Sequence, residues 1–187
     1  MKLERVLPYV KTLLKSIVSP GDHVIDATAG NGHDSLFLAQ LVGVNGHVYS
    51  FDVQKTAIEA TLLRLEEWRN NTSVIHAGHE TILHHVHSEI SAAVFNLGYL
   101  PGADHTIITL PETTIQAIEG CLKLLKVGGL IVLVVYHGHE GGESERDGLL
   151  DYVRSLPQSY VHVLKYEFIN QQNHPPFILA IEKMKHQ

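Results

Sequence analysis

The 187-residue chain has a single cysteine, so it cannot form an internal disulfide or a cysteine-based zinc cluster. That residue, Cys121, lies among Ile118, Leu122 and Leu125 at helical spacing and reads as a buried thiol, not a nucleophile. Positive charge is also scarce: 14 Lys and Arg stand against 20 Asp and Glu, a formal net charge of −6. No basic domain advertises nucleic-acid binding. Local basic character gathers at the ends, with Lys2, Arg5, Lys11 and Lys15 at one and Lys183, Lys185 and His186 at the other. A solvated helix face and a frayed tail explain those residues equally well. Long apolar runs are missing, and none approaches the roughly 20 residues that span a bilayer. Met1–Arg5 lacks a signal peptide's apolar segment, and Pro8 and Lys11 interrupt the residues after it. A cytoplasmic protein without a membrane partner is expected. Repeats, low-complexity tracts and linkers are absent too, so residues 1–187 are read as one domain. With 44% hydrophobic and 18% charged residues it can bury a sizeable core.

What is present alternates strand and helix. Leu3, Val6, Leu7, Val10, Leu13, Leu14 and Ile17 recur at the spacing of an amphipathic helix, which Pro20-Gly21 closes. This helix is expected to pack on or beside a sheet. Strands are predicted at Val24–Ala27, Val48–Phe51, Ser73–His76 and Ala92–Leu97, with helices near 34–42 and 54–69. Thr109-Leu110-Pro111-Glu112 has the form of a capping box, predicting a helix from there to about Lys126. Gly128-Gly129 ends it, and Leu130–Tyr136 is apolar enough for a strand buried on both faces. A helix near 143–155 and strands near 160–168 and 177–183 complete the chain. The last two strands are joined by too few residues for a crossover helix and must pair antiparallel. The predicted fold is α/β: a Rossmann-like, seven-stranded, mostly parallel sheet with an antiparallel C-terminal hairpin.

The most informative stretch is His23-Val24-Ile25-Asp26-Ala27-Thr28-Ala29-Gly30-Asn31-Gly32-His33-Asp34. It reads as a strand, a glycine turn and a helix start. Asp26 falls at the carboxyl end of the strand, where open α/β sheets bind their ligands. Gly30 and Gly32 permit backbone angles and close approaches that other residues do not. Asp52 ends the next strand about twenty residues on, where an acid can accept the hydroxyls of a ribose. Together they propose a nucleoside-bearing cofactor. A nicotinamide site wants a third small residue and a helix start open to pyrophosphate. Here Asp34 occupies that start and would repel a pyrophosphate, whereas it suits an ammonium and a sulfonium. The cofactor candidates are Asp26, Gly30, Asn31, Gly32, His33, Asp34, Asp52 and Gln54. Gly78, His79 and Glu80 are added on an adenine side and Asn96 at the fourth strand end.

The substrate half is read from two later loops. Asn96 ends the fourth strand, and Leu97-Gly98-Tyr99-Leu100-Pro101 comes after it. Its side-chain oxygen, with the Leu97 carbonyl, is expected to accept hydrogen bonds from an amine and aim its lone pair. Gly98, Tyr99, Pro101, Tyr136 and His137 are the substrate-binding candidates. His139, in Tyr136-His137-Gly138-His139-Glu140, is the candidate proton acceptor, with His137 and water as alternatives. His137 and His139 also have the spacing of a metal pair, but no third ligand accompanies them and no metal is assigned. His84, His85 and His87 are expected at the surface.

Taken together, the blocks at 26–34, 78–80, 96–102 and 136–142, with Asn-x-x-Asn-x-Pro-Pro at 170–176, resemble a known family. These are the small class I S-adenosylmethionine-dependent methyltransferases labelled rRNA methylases, whose better-defined members resemble the MnmM-type tRNA enzymes. The resemblance covers nearly the whole chain, although Leu97-Gly98 replaces the Pro-Pro found in many amine methyltransferases. It implies S-adenosylmethionine as cofactor, S-adenosylhomocysteine as product and the anticodon stem-loop of tRNA as partner. The implied reaction is N-methylation of 5-aminomethyl-(2-thio)uridine at the wobble position. A homodimer would be one way to assemble a larger basic surface. Methylation of rRNA or of a small amine, or a non-catalytic nucleoside- or RNA-binding module, are the competing readings.

Overall fold

Three apolar runs, at 24–27, 90–97 and 130–135, lie in the central strands of one sheet, and helices cover both of its faces. The computed structural model describes residues 2–98, 109–138 and 141–186. Tyr99, Pro101 and His139, which the sequence proposes for the site, lie outside the described residues. The elements in chain order are α1 (Val6–Ile17), β1 (His23–Asp26), α2 (His33–Val42), β2 (His47–Asp52) and α3 (Lys55–Arg64). Next come β3 (Thr72–His76), α4 (Ile82–His85), β4 (Ile90–Leu97), α5 (Pro111–Leu124) and β5 (Leu125–Val135). The chain ends with α6 (Gly142–Ser155), β6 (Val161–Tyr166) and β7 (Phe177–Lys183).

The strands are ordered β3-β2-β1-β4-β5-β7-β6. The pairings among the first five strands are parallel, while β7 runs antiparallel to both β5 and β6. The predicted architecture is therefore observed. The chain moves outward from β1 through β2 to β3, then returns to place β4 on β1's other side. The crevice between the carboxyl ends of β1 and β4 is thus the topological switch point, where such sheets bind ligands. One hydrophobic core fills each face. Ile25, Phe51, Phe95 and Ile131 point to the side covered by α5 and α6, and Val24, Val48, Val94 and Val132 to the side covered by α1 and α2. Alternate residues serve opposite cores, which is why β4 and β5 read as continuous apolar runs.

Several local expectations change. The predicted helix over 54–69 stops at Arg64, and a 3-10 segment, Glu66–Asn71, completes the span. Thr109 does not cap α5, whose N-cap is Leu110. Its hydroxyl instead donates to Glu145 at 2.8 Å and accepts the Gly98 N–H at 3.0 Å. The helix ends at Leu124 rather than Lys126, because β5 starts early and passes through a bulge around Gly128 at φ +78°. Lys183 is not part of a frayed tail. It is 3% exposed, and its ammonium donates to the carbonyls of Leu122 at 2.8 Å and Leu125 at 2.6 Å, closing the end of α5. Burial lowers its pKa. Cys121 is buried as expected, its thiol pKa pushed up by desolvation, and His84, His85 and His87 are exposed.

Candidate active site

The glycine turn is built against two acids. Asp52, at the end of β2, accepts the Gly30 N–H at 2.9 Å on one oxygen and the Gln54 N–H at 2.9 Å on the other. The Thr61 hydroxyl donates to the Gly30 carbonyl at 3.1 Å, and Arg64 donates to the Asn31 carbonyl at 2.6 Å. Gly30 (φ +53°) and Gly32 (φ +76°) both take the left-handed backbone foreseen for them. A Cβ at Gly32 would stand 3.0 Å from the Thr61 backbone, so a side chain there would lift the turn off α3. The loop is thus fixed in place before any ligand arrives. Each Asp52 oxygen keeps one further lone pair for a ribose hydroxyl. Asn31 and His33 lie exposed on the rim.

Beneath the turn lies Asp26, wholly buried. It accepts from the Ser35 hydroxyl at 2.6 Å and the Thr28 N–H at 3.2 Å, and Ser50 donates to Ser35 at 2.9 Å. These two donors do not offset its surroundings. Desolvation, helped by the charges of Asp34 and then Asp52, raises its pKa to about 7. The three carboxylates concentrate negative potential at the start of α2, a place that favours a cationic ligand.

The fourth strand contributes Asn96. Its backbone N–H donates to Thr28 at 2.7 Å, and its amide NH2 donates to Asp34 at 2.8 Å. Asp34 therefore fixes the amide orientation and leaves the Asn96 oxygen as the free acceptor. The Leu97 carbonyl, expected as a second acceptor for an amine, already receives the Tyr136 N–H at 3.2 Å. The second acceptor group beside Asn96 is the Asp34 carboxylate. Tyr136 lies close enough for that charge to add to desolvation in raising its phenol pKa.

Two histidine candidates have inward roles. His79 is 8% exposed; its Nδ1–H donates to the Ala27 carbonyl at 3.2 Å, and its ring meets Phe95 edge-on. It anchors the loop after β3 to the loop after β1, and burial lowers its pKa. Glu80 lies over Gly78, where its carboxylate fills the space a Cβ would take. His137 is also 8% exposed and sits between His174 and Phe177. Its Nε2–H donates to the Pro175 carbonyl at 3.2 Å, so it holds the 170–176 segment and does not offer a ring for stacking on a base. Burial, then the Arg146 charge, lowers its pKa. Among the described residues the site thus gathers Asp26, Gly30, Asp34, Asp52, Asn96 and Tyr136. Ser35, Ser50, Thr61 and Glu145 were not read from the sequence. A polar residue inside an apolar helix or strand face, as Ser50 is in β2, was the only signal they gave.

Comparison with known proteins finds relatives along most of the chain. Residues 48–182 match the family described as "putative rRNA methylase". A solved protein from Clostridium thermocellum described as a "putative rRNA-methylase" is 40% identical, superimposes with a TM-score of 0.96, and the match covers 98% of this chain and all of that one. A methyltransferase from Streptococcus mutans, solved in complex with S-adenosylhomocysteine, is also 40% identical, with a TM-score of 0.89 over 97% of this chain and 99% of its own. The chloroplastic tRNA (mnm5s2U34)-methyltransferase of Arabidopsis thaliana is 35% identical over 181 residues, covering 90% of this chain; the chain spans 66% of that relative's length. The chain belongs to the rRNA methylase family of class I S-adenosylmethionine-dependent methyltransferases.

Proposed function

We propose that this protein methylates the aminomethyl nitrogen of 5-aminomethyl-(2-thio)uridine at the wobble position of tRNA, yielding the methylaminomethyl form. The observation that carries this reading is the Asn96–Asp34 contact, which commits the amide nitrogen and leaves the Asn96 oxygen as a free acceptor at the switch point. A free amide acceptor there suits an amine nucleophile. The name of the Arabidopsis relative supplies the nucleoside.

The cofactor's fit is supported by charge. Asp34 and Asp52 flank the start of α2 with Asp26 buried beneath them, and the raised pKa of Asp26 marks the lack of a compensating cation among the described residues. Asp52 and Gly30 would hold the ribose side, Gly78 and Glu80 the adenine side, and Asp34 the ammonium. S-adenosylmethionine supplies an electrophilic methyl group on a sulfonium. The protein's part is to deliver the amine. A primary amine is mostly ammonium at neutral pH and has no lone pair to donate until it loses a proton. Asn96 accepts an N–H and fixes the remaining direction of approach, and a histidine or water takes the proton. Positioning against a reactive sulfonium supplies much of the rate.

Nucleoside mass spectrometry of tRNA from a strain lacking the gene tests the reading. The methylaminomethyl nucleoside should disappear and its aminomethyl precursor accumulate. Unchanged wobble-uridine composition would refute the tRNA assignment, and a changed rRNA methylation pattern would redirect it.

A further inference from the structure

The chain is acidic, yet its uncommitted cations are not scattered. Lys55, Arg69, Lys126, Arg146, Arg154 and Lys165 each face a carboxylate. Arg64 is committed to the Asn31 carbonyl, and Lys183 is buried against two others. Among the described residues this leaves Lys2, Arg5, Lys11, Lys15, Lys123 and Lys185 without an anionic partner. Four of these precede or lie on α1.

The arrangement on α1 is unfavourable to the helix itself. Arg5 is the N-cap, at the positive end of the helix dipole, and makes no capping bond; the first turn contains no acid. Lys11 and Lys15 are like charges four residues apart, a spacing that destabilises a helix. Both ammonium groups stand over the ring of Phe37 in α2, at 5.1 and 5.9 Å from its centre. Glu4, just before α1, accepts from the Thr12 hydroxyl at 2.8 Å. The Phe37 ring and the dipole at the end of α1 hold Lys11 and Lys15 in place, but neither neutralises them, and a cluster of like charge without an anionic partner among the described residues suits a polyanionic ligand.

The position fits as well. Val6, Val10 and Leu14 bury the opposite face of α1 in the same core on which Phe37 and Tyr136 pack. With that face occupied, Lys11 and Lys15 face water, where a polyanion can reach them. The N-terminal end of α1 lies at the carboxyl edge of the sheet: Tyr9 stacks on Tyr166 at 4.3 Å, and Tyr166 donates to the Glu4 carbonyl at 2.7 Å. Asp34 begins α2 one turn before Phe37. A cationic stripe interleaved with aromatic rings thus leads to the crevice that holds Asn96.

We infer that Arg5, Lys11 and Lys15, braced by Phe37, form the surface that binds the phosphate backbone of the RNA substrate. The inference rests on the tRNA reading above and locates its binding face. Three phosphate contacts contribute about 2 to 3 to the slope of log affinity against log salt. Removing them should weaken binding about 100-fold at 0.15 M salt, by that same slope.

The test is the triple variant R5S/K11Q/K15Q, measured beside the wild type with a full-length tRNA transcript over a salt series. The variant should still fold, because the cap it installs and the repulsion it removes offset the cation–π contacts and the last-turn charge it gives up. S-adenosylhomocysteine affinity should stay within twofold. Affinity for tRNA should fall about 100-fold with a slope shallower by about 2 to 3. If the wild type binds tRNA and the variant keeps both affinity and slope, the α1 assignment is overturned and the tRNA reading stands. If the wild type shows no affinity for tRNA, both fall together. Loss of binding to phosphatidylglycerol vesicles with unchanged tRNA affinity would assign the surface to a membrane and overturn the RNA assignment.

Discussion

Replacing Asp26 by Asn tests the electrostatic reading of the site without any substrate. In the folded chain this carboxyl titrates at about 7, against 3.8 for an unperturbed aspartate, chiefly through burial and then through the Asp34 charge. The sign comes from proton linkage. Because the folded-state pKa is raised, the folded chain holds this proton more tightly than the unfolded one. Its contribution to stability is complete below pH 4, declines as pH rises, and is lost above about 7. Ionisation then costs about 4 kcal/mol, at 1.36 kcal/mol for each pH unit separating the two pKa values. Asparagine keeps the shape and never ionises. It disturbs the bond from Ser35, at 2.6 Å, at a cost of about 1 kcal/mol. D26N should therefore be less stable than the wild type by about 1 kcal/mol at pH 4 and more stable by about 3 kcal/mol at pH 8. The latter corresponds to a rise of about 6 to 12 °C in Tm for a chain of this size. Urea unfolding of both proteins, without ligand, at closely spaced pH values provides the difference curve, in which the remaining titrating groups largely cancel. A flat difference between pH 4 and 8 would refute the reasoning, as would a variant less stable throughout.

Four further outcomes are expected. N96A should lose methyl transfer by at least 100-fold while calorimetric affinity for S-adenosylhomocysteine changes less than about threefold; equal losses of both would place Asn96 in the cofactor site alone. D52A frees the Gly30 N–H and removes the acceptor for ribose, so cofactor affinity should drop by 10-fold or more before any effect on RNA binding, seen by titration of each ligand separately. E145Q removes a buried carboxylate whose pKa is raised by desolvation and lowered in part by Thr109 and Thr114. The wild type should lose stability relative to this variant as pH rises through the carboxyl range, and a pH-independent Tm difference would refute that account. K183M leaves the Leu122 and Leu125 carbonyls without their donor and should cost about 2 to 3 kcal/mol by urea denaturation.

The fold was legible because its signals are periodic and local. Apolar runs of strand length, the punctuation at Pro20-Gly21, and the short connection before Phe177 were enough to specify a mostly parallel sheet with an antiparallel end. What escaped is tertiary. Thr109 satisfies the pattern of a capping box, but a buried Glu145 thirty-six residues on competes for its hydroxyl and wins. Lys183 reads as a tail residue because lysine is rarely buried, yet the open end of α5 supplies two carbonyls for it. His137 and His79 read as ligand contacts because histidine near a strand end is chemically versatile. Only the folded chain shows that each has committed a ring nitrogen to a backbone carbonyl.

The acids at the switch point show why such a site is costly to keep. Asp26 alone removes about 4 kcal/mol from the empty protein at pH 8, a large share of a typical domain's 5–15 kcal/mol. Ser35 and Ser50, which partly solvate it, lie on α2 and β2 and contribute little to either core. A chain selected for stability alone would place asparagine or an apolar residue there. A cation entering the site would recover part of the penalty, and S-adenosylmethionine, whose ammonium and sulfonium outweigh its own carboxylate, would bring net positive charge to the three acids. Affinity for a cationic cofactor should consequently rise with pH between 6 and 8 in the wild type and lose that dependence in D26N. The destabilised empty state and the selectivity for a positively charged ligand are two consequences of the same buried charge.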